Sequence, residues 1–220
     1  MPIATDHDLD VQTSVREELG WTPDVDSAGI GVSVENGAVT LSGEVDTHAE
    51  KVAAERAALR VRGVRALVDD LTVKPKTAWP VTETEIVQEV DRALKSASNV
   101  PETVKATVGD HTVTLTGDVS WDFQRHAAQR AVQYLRGVYA INNLITLTSR
   151  ASAPDTEQRI RDAIARNAQL DAQTIHVAVA GNKVTLTGTV RSWAEFRQAA
   201  NAAWASPHVT DVENKINLVF

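Results

Sequence analysis

Cysteine is absent from the 220-residue chain, which removes disulfides, zinc thiolates, iron–sulfur clusters and cysteine nucleophiles together. Aromatic residues make up only 5% of the sequence, too few for one large aromatic core, so several small cores fit the length better. An excess of basic residues is also missing. With 22 Lys and Arg against 29 Asp and Glu, the net charge of −7 argues against a sequence-independent grip on nucleic acid, which depends on neutralising phosphates. No segment approaches the roughly 18 uninterrupted apolar residues of a membrane span. The start, Met1-Pro2-Ile3-Ala4-Thr5-Asp6, has neither the basic opening nor the apolar run of a secretory signal, so the expected location is the cytoplasm. What is present, 43% hydrophobic and 23% charged residues, is the balance of a folded globular protein.

The chain repeats itself. Val39-Thr40-Leu41-Ser42-Gly43-Glu44-Val45 returns as Val113 to Val119 and again as Val184 to Val190, with Gly43, Gly117 and Gly188 spaced 74 and 71 residues apart. Thirteen residues before each glycine stand Ile30, Val104 and Ile175, each opening a run such as Ile30-Gly31-Val32-Ser33-Val34 whose period-two alternation predicts a half-buried strand. Between the paired runs lie Glu35-Asn36-Gly37, Gly109-Asp110-His111 and Ala180-Gly181-Asn182, where Gly and Asn suit the positive φ of a tight hairpin.

Upstream of each hairpin, apolar residues at spacings of three and four predict a helix: Val11, Val15 and Leu19, then Val87, Val90 and Leu94, then Ile160 and Ile164. Thr82 with Glu85 makes a capping box and Asp155 with Gln158 resembles one. Downstream, alanine-rich stretches predict a second helix, introduced in two copies by the capping boxes Thr47/Glu50 and Ser192/Glu195. A last strand follows through Leu67 and Leu71, Ile141 and Ile145, Val212 and Ile216. The predicted class is α+β: three tandem αββαβ units over 6–75, 82–149 and 154–220, each a mixed three-stranded sheet with two helices on one face. Such small units gain by burial against one another, and the short linkers with Pro75, Pro80 and Pro154 lead to the expectation of three touching domains.

An αββαβ unit whose hairpin reads Val-x-Leu-x-Gly-x-Val, followed by a helix, Gly-Val and an Asn-containing strand, resembles the BON domain (bacterial OsmY and nodulation domain). The pieces that carry the likeness are Val39 to Val45 with Gly63-Val64, Val113 to Val119 with Gly137-Val138 and Asn142-Asn143, and Val184 to Val190 with Val209 and Asn214. Asp69 departs from the Asn143 and Asn214 of the other copies, and His208 from Gly63 and Gly137. The resemblance implies bacterial proteins associated with envelope or osmotic stress, thought to bind phospholipid surfaces or other ligands and not known as enzymes.

Nothing in the residues assembles a familiar catalytic or cofactor signature, and no cofactor is expected. Gly29-Ile30-Gly31 lacks the third glycine of a dinucleotide loop, because Val34 stands there. His7, His48, His111, His126, His176 and His208 show no ligand spacing on one helix and read as solvated. Asp6-His7-Asp8 reads as a frayed, solubilising start to the first helix. The first unit, over 8–75, holds 13 acidic and 7 basic residues and so most of the net charge.

Its second helix nevertheless clusters Lys51, Arg56 and Arg60, candidates for an anionic headgroup or partner. Trp121 and Trp193, with Phe123 and Phe196 nearby, open the second helix of their units and are candidate anchors to a membrane interface or a partner. Trp21, Trp79 and Trp204 are expected at unit junctions. The leading expectation is a non-enzymatic stress protein, at most peripheral to the membrane, that binds anionic phospholipid or a protein partner. A structural or chaperone-like protein that forms homo-oligomers through sheet edges, and a small-ligand or cation sensor such as one for potassium held by backbone carbonyls, stay open.

Overall fold

The computed structural model of the protein describes residues 6–76, 81–151, 153–168 and 170–219. In the first repeat, α1 (Asp6–Trp21) leads through a single helical turn at Ser27–Gly29 to the hairpin of β1 (Ile30–Glu35) and β2 (Ala38–Val45), then α2 (His48–Ala58) and β3 (Ala66–Val73). The sheet order is β1-β2-β3. β1 runs antiparallel to β2 with Val32 opposite Leu41, and β3 runs parallel to β2 with Val39 opposite Leu67, the mixed sheet that the helical return predicts. Val11, Val15 and Leu19 of α1, Ala54, Ala57 and Ala58 of α2, and Val32, Val39, Leu41, Val45 and Leu71 of the strands form one core.

The second repeat contributes α3 (Glu83–Ser96), β4 (Lys105–Gly109), β5 (Thr112–Thr116), β6 (Asp118–Val119), α4 (Asp122–Val132), β7 (Ala140–Asn143) and β8 (Thr146–Leu147). Here the long strands are each divided in two, giving a three-stranded sheet in the order β4-β5-β7 and a two-stranded parallel sheet of β6 and β8. The ladder continues across the break, since the amides of Leu144, Thr146 and Thr148 donate to the carbonyls of Leu115, Gly117 and Val119 at 2.8, 2.9 and 2.8 Å. The third repeat restores the long strands: α5 (Thr156–Ala165), β9 (Ile175–Ala180), β10 (Lys183–Val190), α6 (Trp193–Trp204) and β11 (Asp211–Leu218), in the order β11-β10-β9. By packing, the chain divides into two compact units. One takes the chain up to Arg92 with Thr107–Val113 and Val132–Asn142; the other takes Ala93–Ala106, Thr114–Ala131 and the chain from Asn143 onward, so the boundary passes through the second repeat.

Local chemistry explains most of the elements. The hairpins turn through Asn36 and Gly37 at φ 51° and 77°, through Asp110 and His111 at 50° and 59°, and through Gly181 at 61°. The Thr47 hydroxyl accepts from the Glu50 amide at 3.0 Å, and the Glu50 carboxylate accepts from the amides of Asp46 and Asp26 at 2.7 and 2.8 Å. Ser192/Glu195 and Thr82/Glu85 repeat the box, and Gln124 accepts from Ser120 and Trp121 at the same place in the second repeat. Asp155 makes no side-chain cap; its carboxylate pairs instead with Arg159 at 2.7 Å.

Two expectations about helix faces change. Val87 is 46% exposed while its neighbour Ile86 is fully buried, so the inward stripe of α3 is Ile86, Val90 and Leu94. Asp8 is not part of a frayed end: it is only 4% exposed, and its carboxylate accepts from the amides of Gly37 and Asn36 at 2.9 and 3.2 Å, tying α1 to the hairpin turn. Glu83 serves the second hairpin similarly, accepting from the Asp110 amide at 2.6 Å.

Candidate functional site

The three basic residues singled out on α2 part company in the structure. Lys51 points into its own repeat, where its ammonium pairs with Asp69 at 2.7 Å and donates to the Leu71 carbonyl at 2.6 Å. The repeat register explains this. Asp69 stands where Asn143 and Asn214 stand in the other copies, and those amides donate to the α4 and α6 backbone at the Arg125 and Phe196 carbonyls, at 3.0 and 3.2 Å, while accepting from Ile145 and Ile216 at 3.3 and 3.2 Å. Asp69 still accepts from the Leu71 amide at 3.1 Å, but a carboxylate has no proton to give, and Lys51, at the register position of Arg125 and Phe196, supplies the missing donor. The departure from asparagine is therefore compensated within the same repeat.

Burial, followed by the neighbouring Asp69 carboxylate, raises the Glu55 carboxyl above the ordinary glutamate value. A raised folded-state pKa favours the protonated acid in the native state, so this contribution to stability is complete below the ordinary value and is lost as pH rises through the folded one. Glu55→Gln is expected to raise the melting temperature at neutral pH and to leave it nearly unchanged at about pH 3, where Glu55 is protonated in both states. Melting curves of parent and variant across that range check the sign.

Arg56 and Arg60 do come together. They lie along a groove of about 420 Å³ in the first compact unit, with Thr47, Ala49 and Val52 on the α2 side and Tyr134 opposite. Arg60 is held by Glu18 at 2.7 Å and by the Thr22 hydroxyl at 2.9 Å, whereas Arg56 has no ion-pair partner among the described residues.

The second compact unit carries a larger groove of about 510 Å³. One wall is α4 and the residue before it, with Trp121, Phe123, His126 and Arg130; the other is the end of α6, with Asn201, Trp204 and Ala205. Phe123 is 52% exposed. Trp121 and Phe123 approach with ring centroids 6.4 Å apart. Two further guanidiniums stack on its indoles, Arg150 over Trp121 at 5.2 Å and Arg125 over Trp204 at 4.9 Å.

At its base Asp122 is buried, bonded to Arg125 and 3.2 Å from His126 Nε2. Burial pulls its carboxyl upward, but the hydrogen bond and charge of His126 and those of Arg125 outweigh it and hold Asp122 below the ordinary aspartate value. The site thus presents aromatic residues and positive charge, and Asp122, the one acid among its described lining residues, is already paired.

Trp193 is not part of this groove. It lies half-buried at the start of α6, edge-on to Phe196 at 5.1 Å, and Phe196 packs on the third core. Trp204 packs on the same core, while Trp21 is 84% exposed and Trp79 lies outside the described residues. His48 differs from the solvated reading: both ring nitrogens are buried, and burial, then the Lys51 charge, depresses its pKa. The groove residues missed from the sequence, His126, Arg130 and Asn201, carry one usable signal. Asp122, His126 and Arg130 follow the i,i+4 rule that puts them on one helix face.

Gly43, Gly117 and Gly188 occupy one backbone conformation, at φ 120°, 118° and 121°. They shape the hairpin that carries each second helix.

The geometry defines a tandem array of three small αββαβ repeats. The family model of the BON domain matches residues 7–75, 82–149 and 152–219, and the chain belongs to the BON domain family. That family is associated with stress and osmotic adaptation, and its members are generally not enzymes. Among curated proteins, none matches the chain.

Two solved structures of CdsD, a structural protein of the type III secretion system of Chlamydia trachomatis, are similar at 12% and 13% identity. They cover 96% of this chain and 92% and 98% of their own, with TM-scores of 0.27 and 0.28. No helix among the described residues is long and apolar enough to cross a membrane.

Proposed function

We infer that this chain is a non-enzymatic binding protein of stress or osmotic adaptation that docks peripherally on anionic phospholipid headgroups through its second compact unit. The observation that carries the reading is the groove along α4, lined by Trp121, the exposed Phe123, Arg130 and Trp204, with the guanidinium of Arg150 over Trp121 and that of Arg125 over Trp204. Aromatic rings of this kind partition into the headgroup region, and arginines beside them meet phosphate bidentately. The net charge of −7 opposes such docking at a distance, so the contact depends on this local patch.

Flotation with anionic and neutral vesicles, at low and at physiological salt, tests the reading. Binding to anionic vesicles that fades with salt is expected, and Trp121→Ala with Phe123→Ala should weaken it about tenfold, since two interfacial aromatics are removed. Equal binding to both vesicle types, or none to either, removes the lipid reading.

A further inference from the structure

The two grooves are the same place in successive repeats. Thr47, Ala49, Val52 and Arg56 of the first occupy the register of Trp121, Phe123, His126 and Arg130 of the second, each 74 residues on, and Tyr134 opposite the first occupies the register of Ala205 opposite the second, 71 residues on. Within one molecule the comparison separates what is common from what is particular. Common to both is an arginine in the last turn of the helix with no ion-pair partner among the described residues. Particular to the second are aromatic residues on the helix side, tryptophan for threonine and phenylalanine for alanine, and Trp204 across the groove, where the first has Tyr134.

Each feature restricts the occupant. A volume of about 510 Å³ is that of a pocket for one small organic molecule. Flat indole and phenyl walls favour a planar apolar body that can stack. Aromatic walls also suit cations, but here Arg125 and Arg150 already lie on the indoles, Arg130 lines the groove, and Asp122, the one acid among its described lining residues, is committed to Arg125 and His126. Among the described lining residues positive charge therefore meets no uncommitted carboxylate, whereas a carboxylate or sulfonate would find the Arg130 guanidinium without an ion-pair partner and the Asn201 carboxamide on the facing helix.

We propose that the groove bounded by Trp121, Phe123, Arg130 and Trp204 is a binding site for one small, planar, anionic aromatic molecule, its ring stacked between the walls and its acid group on Arg130. The proposal rests on the reading of this groove as the binding surface and names a discrete occupant for it, independent of a bilayer.

The test uses the full chain and two fluorescent probes, anilinonaphthalene sulfonate and its uncharged analogue N-phenylnaphthylamine. The substitutions are ones the repeats themselves carry at the same register, Trp121→Thr after Thr47 and Arg130→Asn after Asn201, with circular dichroism and melting confirming an intact fold. One sulfonate probe per chain is expected, held more tightly than the uncharged analogue. Arg130→Asn should weaken the sulfonate about tenfold and the analogue hardly at all, and Trp121→Thr should weaken both about tenfold.

Equal affinity for the two probes, or sulfonate binding unchanged in either variant, overturns the proposal. Flotation of the same proteins keeps the two readings apart. Vesicle binding without the probe site leaves the lipid reading and removes this one, and a probe site without vesicle binding does the reverse.

Discussion

Gly188→Ala is expected to unfold the third repeat. At φ 121° the backbone occupies a region that L-residues with a side chain rarely enter, and a Cβ built there would lie 1.9 Å from the Thr174 carbonyl oxygen. That oxygen belongs to backbone and cannot swing away like the tip of a side chain. Moving it would part β9 from β10, because Gly188 faces Ile175 at the open end of the hairpin and the Thr189 amide donates to that carbonyl at 3.1 Å.

The combined conformational strain and overlap should cost about 3 to 5 kcal/mol, comparable to the whole stability of so small a unit. Gly43→Ala and Gly117→Ala should behave alike, with clashes at 2.2 Å on Gly29 and 2.3 Å on Thr103. Urea unfolding monitored by amide resonances of β9 and β10 measures the loss. A change under about 1 kcal/mol would show that the hairpin yields easily and would refute the account.

Asp8→Ala is expected to cost about 2 to 3 kcal/mol, the second largest effect. The carboxylate is buried and accepts from two amides of a turn whose residues stand at positive φ, so alanine leaves those donors facing protein without a partner. Asp8→Asn retains one oxygen acceptor and should recover part of the loss. Hydrogen exchange at the Asn36 and Gly37 amides reports the contact directly. Protection that is unchanged in Asp8→Ala would mean that α1 does not hold the turn.

These two predictions differ in how far the sequence announced them. Gly43, Gly117 and Gly188 were visible because they recur in register within an alternating strand, and positive φ at each is the backbone reason for the recurrence. Asp8 sat in a run of polar residues near the start of the chain and looked like a solubilising end. Its partners lie 28 and 29 residues away, a separation that no helical or strand period encodes. The same difference divides Val87 from Ile86. Both are apolar and adjacent, periodicity allowed either to face inward, and only the packing of α3 selects Ile86.

The candidate contact residues divide in the same way. Trp121 was legible because an aromatic at a helix entrance stands out in a chain with so few. Arg130 and Trp204 were not, since one belongs to α4 and the other to the end of α6, and only their meeting across a groove gives either a binding role. Lys51 failed as a surface residue for a reason the sequence contained in two separate places. Aspartate replaces asparagine at position 69, and lysine at position 51 supplies the donor that aspartate lacks, a compensation that becomes visible when the 2.7 Å contact joins them.

By itself the sequence determined the three repeats, the order helix, strand, strand, helix, strand within each, the hairpin turns, most helix caps and the glycines that the hairpins require. All of these rest on hydrogen bonding and steric preference over a few neighbouring residues, which periodicity records. The tertiary structure alone decided which carboxylate closes the first hairpin, which cation is consumed inside a repeat, and which aromatic and basic side chains face one another across a groove. Those depend on distances of a few ångströms between side chains far apart along the chain, and such distances exist only once the cores have packed.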